Sequence, residues 1–143
     1  MEIFEKFLLE SPVVAQCVSS LRESAQLEIN TGNEKQYFCK KNSKICLEKI
    51  GENPDMTFTT QVQVLNQIFA DPNLSIGAYG VKIIESIVKK EIKTQVHIGP
   101  IKFFSHGYLG ILAQGGKEFL TYLTQKNISL KDIGKILKKF KNS

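Results

Sequence analysis

The spacing of apolar residues switches from helical to alternating near residue 25, and this switch limits the possible folds more than any other feature of the sequence. Residues 2–23 carry apolar side chains at helical spacing, which predicts two short helices that meet at Ser11 and Pro12. Residues 25–29 alternate apolar and polar side chains, which predicts a half-buried strand. Helices and strands that occupy separate stretches of a chain are typical of the α+β class.

A predicted hairpin follows this strand. Residues 35–41 and 44–49 have the composition of strands, and the Asn-Ser pair between them suits a tight turn. Such a turn sets Cys39 opposite Cys46. We expect two reduced thiols packed side by side rather than a disulfide, because three cysteines in a chain of this kind do not make a disulfide framework.

The rest of the sequence predicts two more strands and a series of helices. In chain order these are strand 55–59, helices 60–69 and 75–89, strand 92–98, and helices over 100–114 and 115–143. We therefore predict an α+β fold in which an antiparallel sheet of about five strands is covered by helices on one face. Because 143 residues is a one-domain length, residues 1–143 are expected to form a single domain with a helical C-terminal extension over 115–143.

The signatures of catalysis are absent from the sequence. There is no nucleophile elbow, no phosphate-binding loop and no His or Cys spacing typical of a metal site, so we predict no catalytic residue, no cofactor and no bound metal. His97 falls on the polar side of its strand, and His106 lies among aromatic residues, where we expect it to be packed. Asp55, Glu85 and Glu91 stand alone on polar faces, where acids serve solubility. No spacing singles out a Cys–His nucleophile pair.

Charge is divided unevenly between the two halves of the chain. Residues 1–71 carry seven Lys and Arg against ten Asp and Glu, a net charge of −3, whereas residues 72–143 carry twelve Lys against four acids, a net charge of +8. A basic half can face an anionic membrane, a nucleic acid or an acidic protein, or it can be a solvated surface. We do not expect nucleic acid as a partner, because Arg22 is the only arginine and Arg is the commonest reader of bases.

The last fifteen residues combine a basic surface with an apolar stripe. Residues 129–143 place two Ile, one Leu and one Phe along one side of a predicted helix, surrounded by five lysines. Such a helix lies on an anionic membrane, docks on a partner protein, or packs on its own domain with its lysines in water.

The first ten residues carry three acids and one lysine, unlike a secretory signal, so we expect a cytoplasmic protein.

The helices after residue 60 are rich in large apolar side chains. Helices 60–69, 75–89 and 100–114 carry many Ile, Leu and Phe, which can cover one face of a small sheet. If these helices do not close fully over the sheet, the gap is an apolar cavity suited to a lipid-like ligand, and if they do, the space is an ordinary filled core.

Residues 25–112 resemble the sterol carrier protein type-two family. That family has an antiparallel meander, then a strand that begins Pro-Asp-x-Thr, then helices, and a final strand with a Gly at its exit. Residues 54–59 (Pro-Asp-Met-Thr-Phe-Thr) are similar to the first of these strands, and residues 92–98 followed by Gly99 are similar to the second. The resemblance implies a cavity between sheet and helices that holds fatty acyl chains, sterols or other lipids, in a family that is generally not catalytic.

We therefore predict that the chain binds or carries a lipid or fatty-acyl ligand; the alternative is a non-catalytic protein-interaction module that uses the basic helical half. Tyr79 is expected to supply the polar contact that orients a head group. The residues expected to line the cavity are Leu65, Phe69, Ile76, Tyr79, Ile83, Ile98, Ile101 and Phe104.

Overall fold

One sheet of five strands organises the part of the chain that the structure describes. The structure is a computed structural model, and it describes residues 2–108, 121–122 and 124–126. The strands are β1 (Gln26–Asn30), β2 (Lys35–Lys41), β3 (Lys44–Glu48), β4 (Met56–Thr59) and β5 (Lys93–Val96). The helices are α1 (Glu2–Glu10), α2 (Pro12–Val18), α3 (Val62–Ile68), α4 (Ile76–Val88) and α5 (Pro100–Ser105). The α+β class predicted from the sequence is confirmed.

Serine side chains fix where two of the helices begin. The Oγ atom of Ser11 accepts a hydrogen bond from the backbone N–H of Val13 at 3.3 Å, and this bond caps α2. The Oγ atom of Ser75 accepts from the backbone N–H of Ala78 at 3.1 Å and caps α4. Both helices therefore start where the sequence predicts them.

The hairpin of β2 and β3 turns on two residues with positive φ angles. These are 53° at Asn42 and 63° at Ser43, as a type I′ turn requires. The turn fixes the register of the two strands, and Cys39 lies directly opposite Cys46. The predicted hairpin and its register are confirmed, and both cysteines are free in the structure.

The strands lie in the order β3-β2-β1-β4-β5, and the pairing of β1 with β4 is parallel. The sheet is therefore mixed, whereas the sequence predicted an antiparallel one. The difference arises in the segment between β3 and β4, which takes the chain past β2 to the far side of β1, where β4 runs in the direction of β1. Gly51 permits this passage, because a Cβ atom there would lie 2.5 Å from the ring of Tyr37.

The sheet has an apolar face and a polar face, which we call the inner face and the outer face. The strand register places on the inner face the polar residues Gln36, Lys40 and Thr94 and the apolar residues Leu27, Ile29, Phe38, Ile45, Leu47, Met56, Phe58 and Val96. It places on the outer face Glu28, Asn30, Lys35, Tyr37, Thr57, Thr59 and Gln95. The helices pack against the inner face, and the buried core lies between them and the sheet.

The first two helices supply much of the cover over the inner face. Phe4 of α1 packs against Phe38 and Phe69, with ring centroids 5.7 Å and 5.0 Å apart. Phe7, one turn later, packs against Phe69 at 4.6 Å and against Tyr79 at 4.9 Å. The sequence predicted α1 and α2 as helices but assigned the cover to the helices after residue 60.

Several predictions fall outside the described residues. The helix expected over 100–114 is described only as α5 and the turn that ends at Tyr108. The helix expected over 129–143 lies outside the described residues, so its contact with an anionic membrane or a partner protein stays a prediction, as does the single domain. No helix within the described ranges is long and apolar enough to cross a membrane.

Candidate functional site

An apolar cavity of about 280 Å³ lies between the inner face of the sheet and helices α1, α2 and α4. The helices contribute Phe7, Val14 and Cys17 to its wall, among others, and the sheet contributes Leu27 and Phe38. Burial raises the pKa of the Cys17 thiol, so this thiol stays protonated and adds no charge to the wall. The cavity therefore offers surface for apolar groups and few partners for water.

Four of the eight residues predicted to line a cavity do lie in this wall. They are Phe69, Ile76, Tyr79 and Ile83, from the end of α3 and from α4. Leu65 is buried in the adjoining core but is not part of the described wall. That these side chains touch a ligand stays a prediction.

The structure places two of the other three predicted residues elsewhere. Ile98 lies beside a polar concavity on the outer side of the sheet, and Ile101 is 84% exposed. The side chain of Phe104 lies outside the described residues. The physical reason is the phase of α5, which turns Phe103 rather than Ile101 toward the core.

Most of the described wall comes from residues that the sequence analysis did not select. Phe4, Phe7 and Leu8 of α1 and Val14 and Val18 of α2 all belong to it. The signal for them was present, because residues 2–23 carry an apolar stripe at helical spacing and such a stripe must be buried against something.

The hydroxyl of Tyr79 is already held by the chain itself. It donates a hydrogen bond to the carbonyl oxygen of Asp71 at 2.5 Å and accepts one from the backbone N–H of Leu74 at 3.3 Å. Burial raises the pKa of Tyr79, which keeps the hydroxyl protonated and able to donate. The predicted contact of this hydroxyl with a head group would compete with these bonds, which fix the loop before α4.

Lys40 is the one residue with a charged side chain in the described wall of the cavity. It lies near the end of β2 and is half-buried. Its Nζ atom donates a hydrogen bond to the carbonyl oxygen of Leu21 at 2.6 Å. This bond ties the hairpin to the segment that follows α2, at the edge of the cavity.

A polar concavity of about 710 Å³ lies on the outer face of the sheet. Within it, the hydroxyl of Thr57 donates to Oε2 of Glu28 at 2.9 Å and lies 2.8 Å from Nε2 of His97. A hydroxyl has one proton to donate, and Thr57 uses it in the hydrogen bond to the carboxylate of Glu28. Nε2–H of His97 is therefore the donor in its bond to the hydroxyl oxygen of Thr57. The imidazole is exposed, as the sequence predicted, but it is linked to a buried carboxylate through one hydroxyl.

Asp55 corrects a prediction made from the sequence. It was expected to be a solvated acid on a polar face, but it is 4% exposed. Its Oδ2 atom accepts hydrogen bonds from Nδ1–H of His106 at 2.7 Å, from the hydroxyl of Tyr108 at 2.6 Å and from the backbone N–H of Gln26 at 3.4 Å. Burial, followed by the bond and charge of Asp55, raises the pKa of Tyr108, so Tyr108 remains the donor.

These contacts give the two sides of the sheet different chemistry. The outer concavity holds hydrogen-bonded acids and imidazoles, but no group of three or more His, Cys, Asp or Glu among the described residues is placed to bind a metal. The inner cavity offers almost entirely apolar walls. The inner cavity is thus the site in the described structure that suits an apolar ligand.

Comparison with known proteins gives two structural likenesses. No family model and no curated protein matches the sequence. Among solved structures, the chain is similar to one named the UbiJ-SCP2 ubiquinone synthesis protein, with a TM-score of 0.48 and 15% identity, covering 77% of this chain and 86% of that one. It is also similar to a conserved hypothetical protein from Thermus thermophilus, named a possible sterol carrier protein, with a TM-score of 0.38 and 11% identity. This likeness covers 89% of this chain and 85% of that one.

The printed names of both structures refer to the sterol carrier family. At this level of identity the likeness concerns the fold, and neither structure assigns a function to this chain.

Proposed function

We propose that this chain binds and carries a lipid-like ligand in the cavity between the inner face and helices α1, α2 and α4, without catalysing a reaction. The observation that supports the proposal is the cavity itself, at about 280 Å³ and with apolar walls. A buried apolar cavity of roughly 150 Å³ is enough to stay dry and to bind benzene. The cavity in this chain is therefore large enough to hold an apolar group larger than benzene.

The energetics favour an apolar occupant over water. Water in such a space loses hydrogen bonds, because the walls offer few polar partners. Each CH₂ group that leaves water for an apolar environment gains about 0.8 kcal/mol. A chain of several CH₂ groups therefore gains free energy stepwise as it fills the cavity.

The first test is binding by the intact protein. Freshly purified protein should retain lipid in native mass spectrometry, and it should bind the neutral fluorescent probe N-phenyl-1-naphthylamine with a saturable rise in emission. The proposal is contradicted if the protein retains no lipid and binds no probe or lipid at any concentration.

A matched pair of variants on α2 locates the binding. Val14 lines the cavity, so Val14→Trp should fill it and weaken probe binding by about tenfold or more, since several CH₂-sized contacts are lost. Gln16 is exposed on the same helix, and Gln16→Trp should leave binding unchanged. Thermal melting of both variants reports whether they fold, and Ile83→Phe serves as a second blocking variant on α4. Full binding by folded blocking variants would place the ligand elsewhere.

A further inference from the structure

Lys40 points toward the apolar side of the sheet, which is unusual for a lysine. It follows Phe38 by two positions in β2, so both side chains lie on the inner face. Its partner across the hairpin is Ile45, which also lines the cavity. The other three lysines of β2 and β3 are all exposed, whereas Lys40 is half-buried. The chain therefore places one lysine in an otherwise apolar wall.

The charge of Lys40 has no counter-ion among the described residues. No described carboxylate lies within ion-pair distance of its Nζ atom. The neutral carbonyl oxygen of Leu21 takes one of its three N–H donors. Because Lys40 is only half-buried, its remaining donors are open to an anion, and a hydrogen bond to an anion is stronger than one to a neutral acceptor.

We infer that Lys40 receives the negatively charged head group of the ligand, so the cavity selects single-chain lipid acids over neutral lipids of the same chain length. This inference rests on the proposed function. The cavity volume of about 280 Å³ suits one unbranched chain better than a bulky ring system or two chains, since pockets for drug-sized ligands run from roughly 300 to 1,000 Å³. A carboxylate and a phosphate monoester both offer the acceptor oxygens that the free N–H donors require.

The experiment compares ligands that differ only in the head group. Tetradecanoate, tetradecyl phosphate and tetradecan-1-ol are each titrated, below their aggregation concentrations, against the protein loaded with N-phenyl-1-naphthylamine. We expect the better of the two acids to displace the probe at about one tenth of the alcohol concentration, as one charge-assisted hydrogen bond allows. The order of the two acids distinguishes a carboxylate from a phosphate head group.

Three variants separate the charge of Lys40 from its position. Lys40→Met should reduce the tenfold preference for the acid to about one, and Lys40→Arg should retain most of it. Lys44 is exposed at the start of β3, and Lys44→Gln should behave like the unchanged protein. If Lys40→Met fails to fold, Lys40→Gln replaces it.

The outcomes distinguish the inference from the function on which it rests. Equal affinity of the unchanged protein for acids and alcohol, or a preference that survives in folded Lys40→Met, overturns the role of Lys40 while lipid binding stands. Failure of the probe and of all three lipids to bind overturns the proposed function, and the role of Lys40 with it.

Discussion

The inner and outer faces of the sheet are stabilised by different kinds of contact. On the inner face, aromatic and aliphatic side chains from α1, α2, α3 and α4 pack without directional bonds and leave a cavity between them. On the outer face and at its edge, two buried carboxylates, Glu28 and Asp55, each accept hydrogen bonds from specific partners. A void in apolar packing lowers stability in proportion to its volume and can be filled by a ligand, whereas a buried acid requires each of its own hydrogen-bond partners in place.

This difference gives the two faces different tolerance to change. Loss of apolar contact on the inner face leaves an empty volume and lowers stability. A ligand that fills this volume should restore part of the lost stability. Loss of a partner on the outer side leaves a polar group buried and unpaired, and an apolar ligand cannot replace it. Variants on each face test the comparison.

The largest effect is expected on the inner face at Phe7. Phe7→Ala removes a ring that packs on Phe69 and Tyr79, and it should lower the free energy of unfolding by about 3 kcal/mol or more. Leu9 lies on the same helix but is 63% exposed, so Leu9→Ala should stay within about 0.5 kcal/mol of the unchanged protein. Urea denaturation measures both. Equal, small effects would mean that α1 does not close the cavity.

A somewhat smaller effect is expected at Asp55. Asp55→Ala leaves the hydroxyl of Tyr108 and Nδ1–H of His106 without their acceptor, and should lower the free energy of unfolding by about 2–3 kcal/mol. Asp55→Asn keeps an acceptor oxygen without the charge, so it should lower the free energy of unfolding by less than Asp55→Ala does. Added lipid should recover stability in Phe7→Ala and not in Asp55→Ala. The same recovery in both variants would contradict the comparison of the two faces.

The smallest effect is a change in pH dependence at Tyr108. The pKa of Tyr108 is raised in the folded protein, whereas an unfolded tyrosine ionises near about pH 10. The contribution of Tyr108 to the free energy of unfolding is therefore present below about pH 10 and is lost as the pH rises. Between pH 9 and pH 11 the unchanged protein should lose about 1 kcal/mol more stability than Tyr108→Phe. Urea denaturation at the two pH values measures this difference. Parallel losses in both proteins would show that folding does not raise the pKa of Tyr108.

The elements of the fold were predictable because their signals are local. Ser11 and Ser75 cap the helices that follow them, and the two residues between β2 and β3 fix the register that sets Cys39 opposite Cys46. Each of these signals acts on structure only a few residues away. The parallel pairing of β1 with β4 was not predictable in this way, because it depends on the path of the chain between β3 and β4.

The sites were less predictable because their partners lie far apart in the sequence. Asp55 bonds to His106 and Tyr108, which are 51 and 53 positions away, so nothing near Asp55 marks it as buried. Ile101 was selected for its apolar side chain, but the phase of a short helix decides which side chains face the core, and it turned Phe103 inward. Lys40 was overlooked because a lysine on a strand is usually exposed.

The contacts of α1 also bear on the order in which the chain acquires its structure during synthesis. Phe7 packs on Phe69, so α1 is made long before the surface on which it docks. Contacts between segments so distant in sequence form late, because a long loop must close before they are gained. We therefore expect the residues of α1 to stay exposed and largely unfolded on the nascent chain, and a first lipid to enter the cavity from this side before α1 docks.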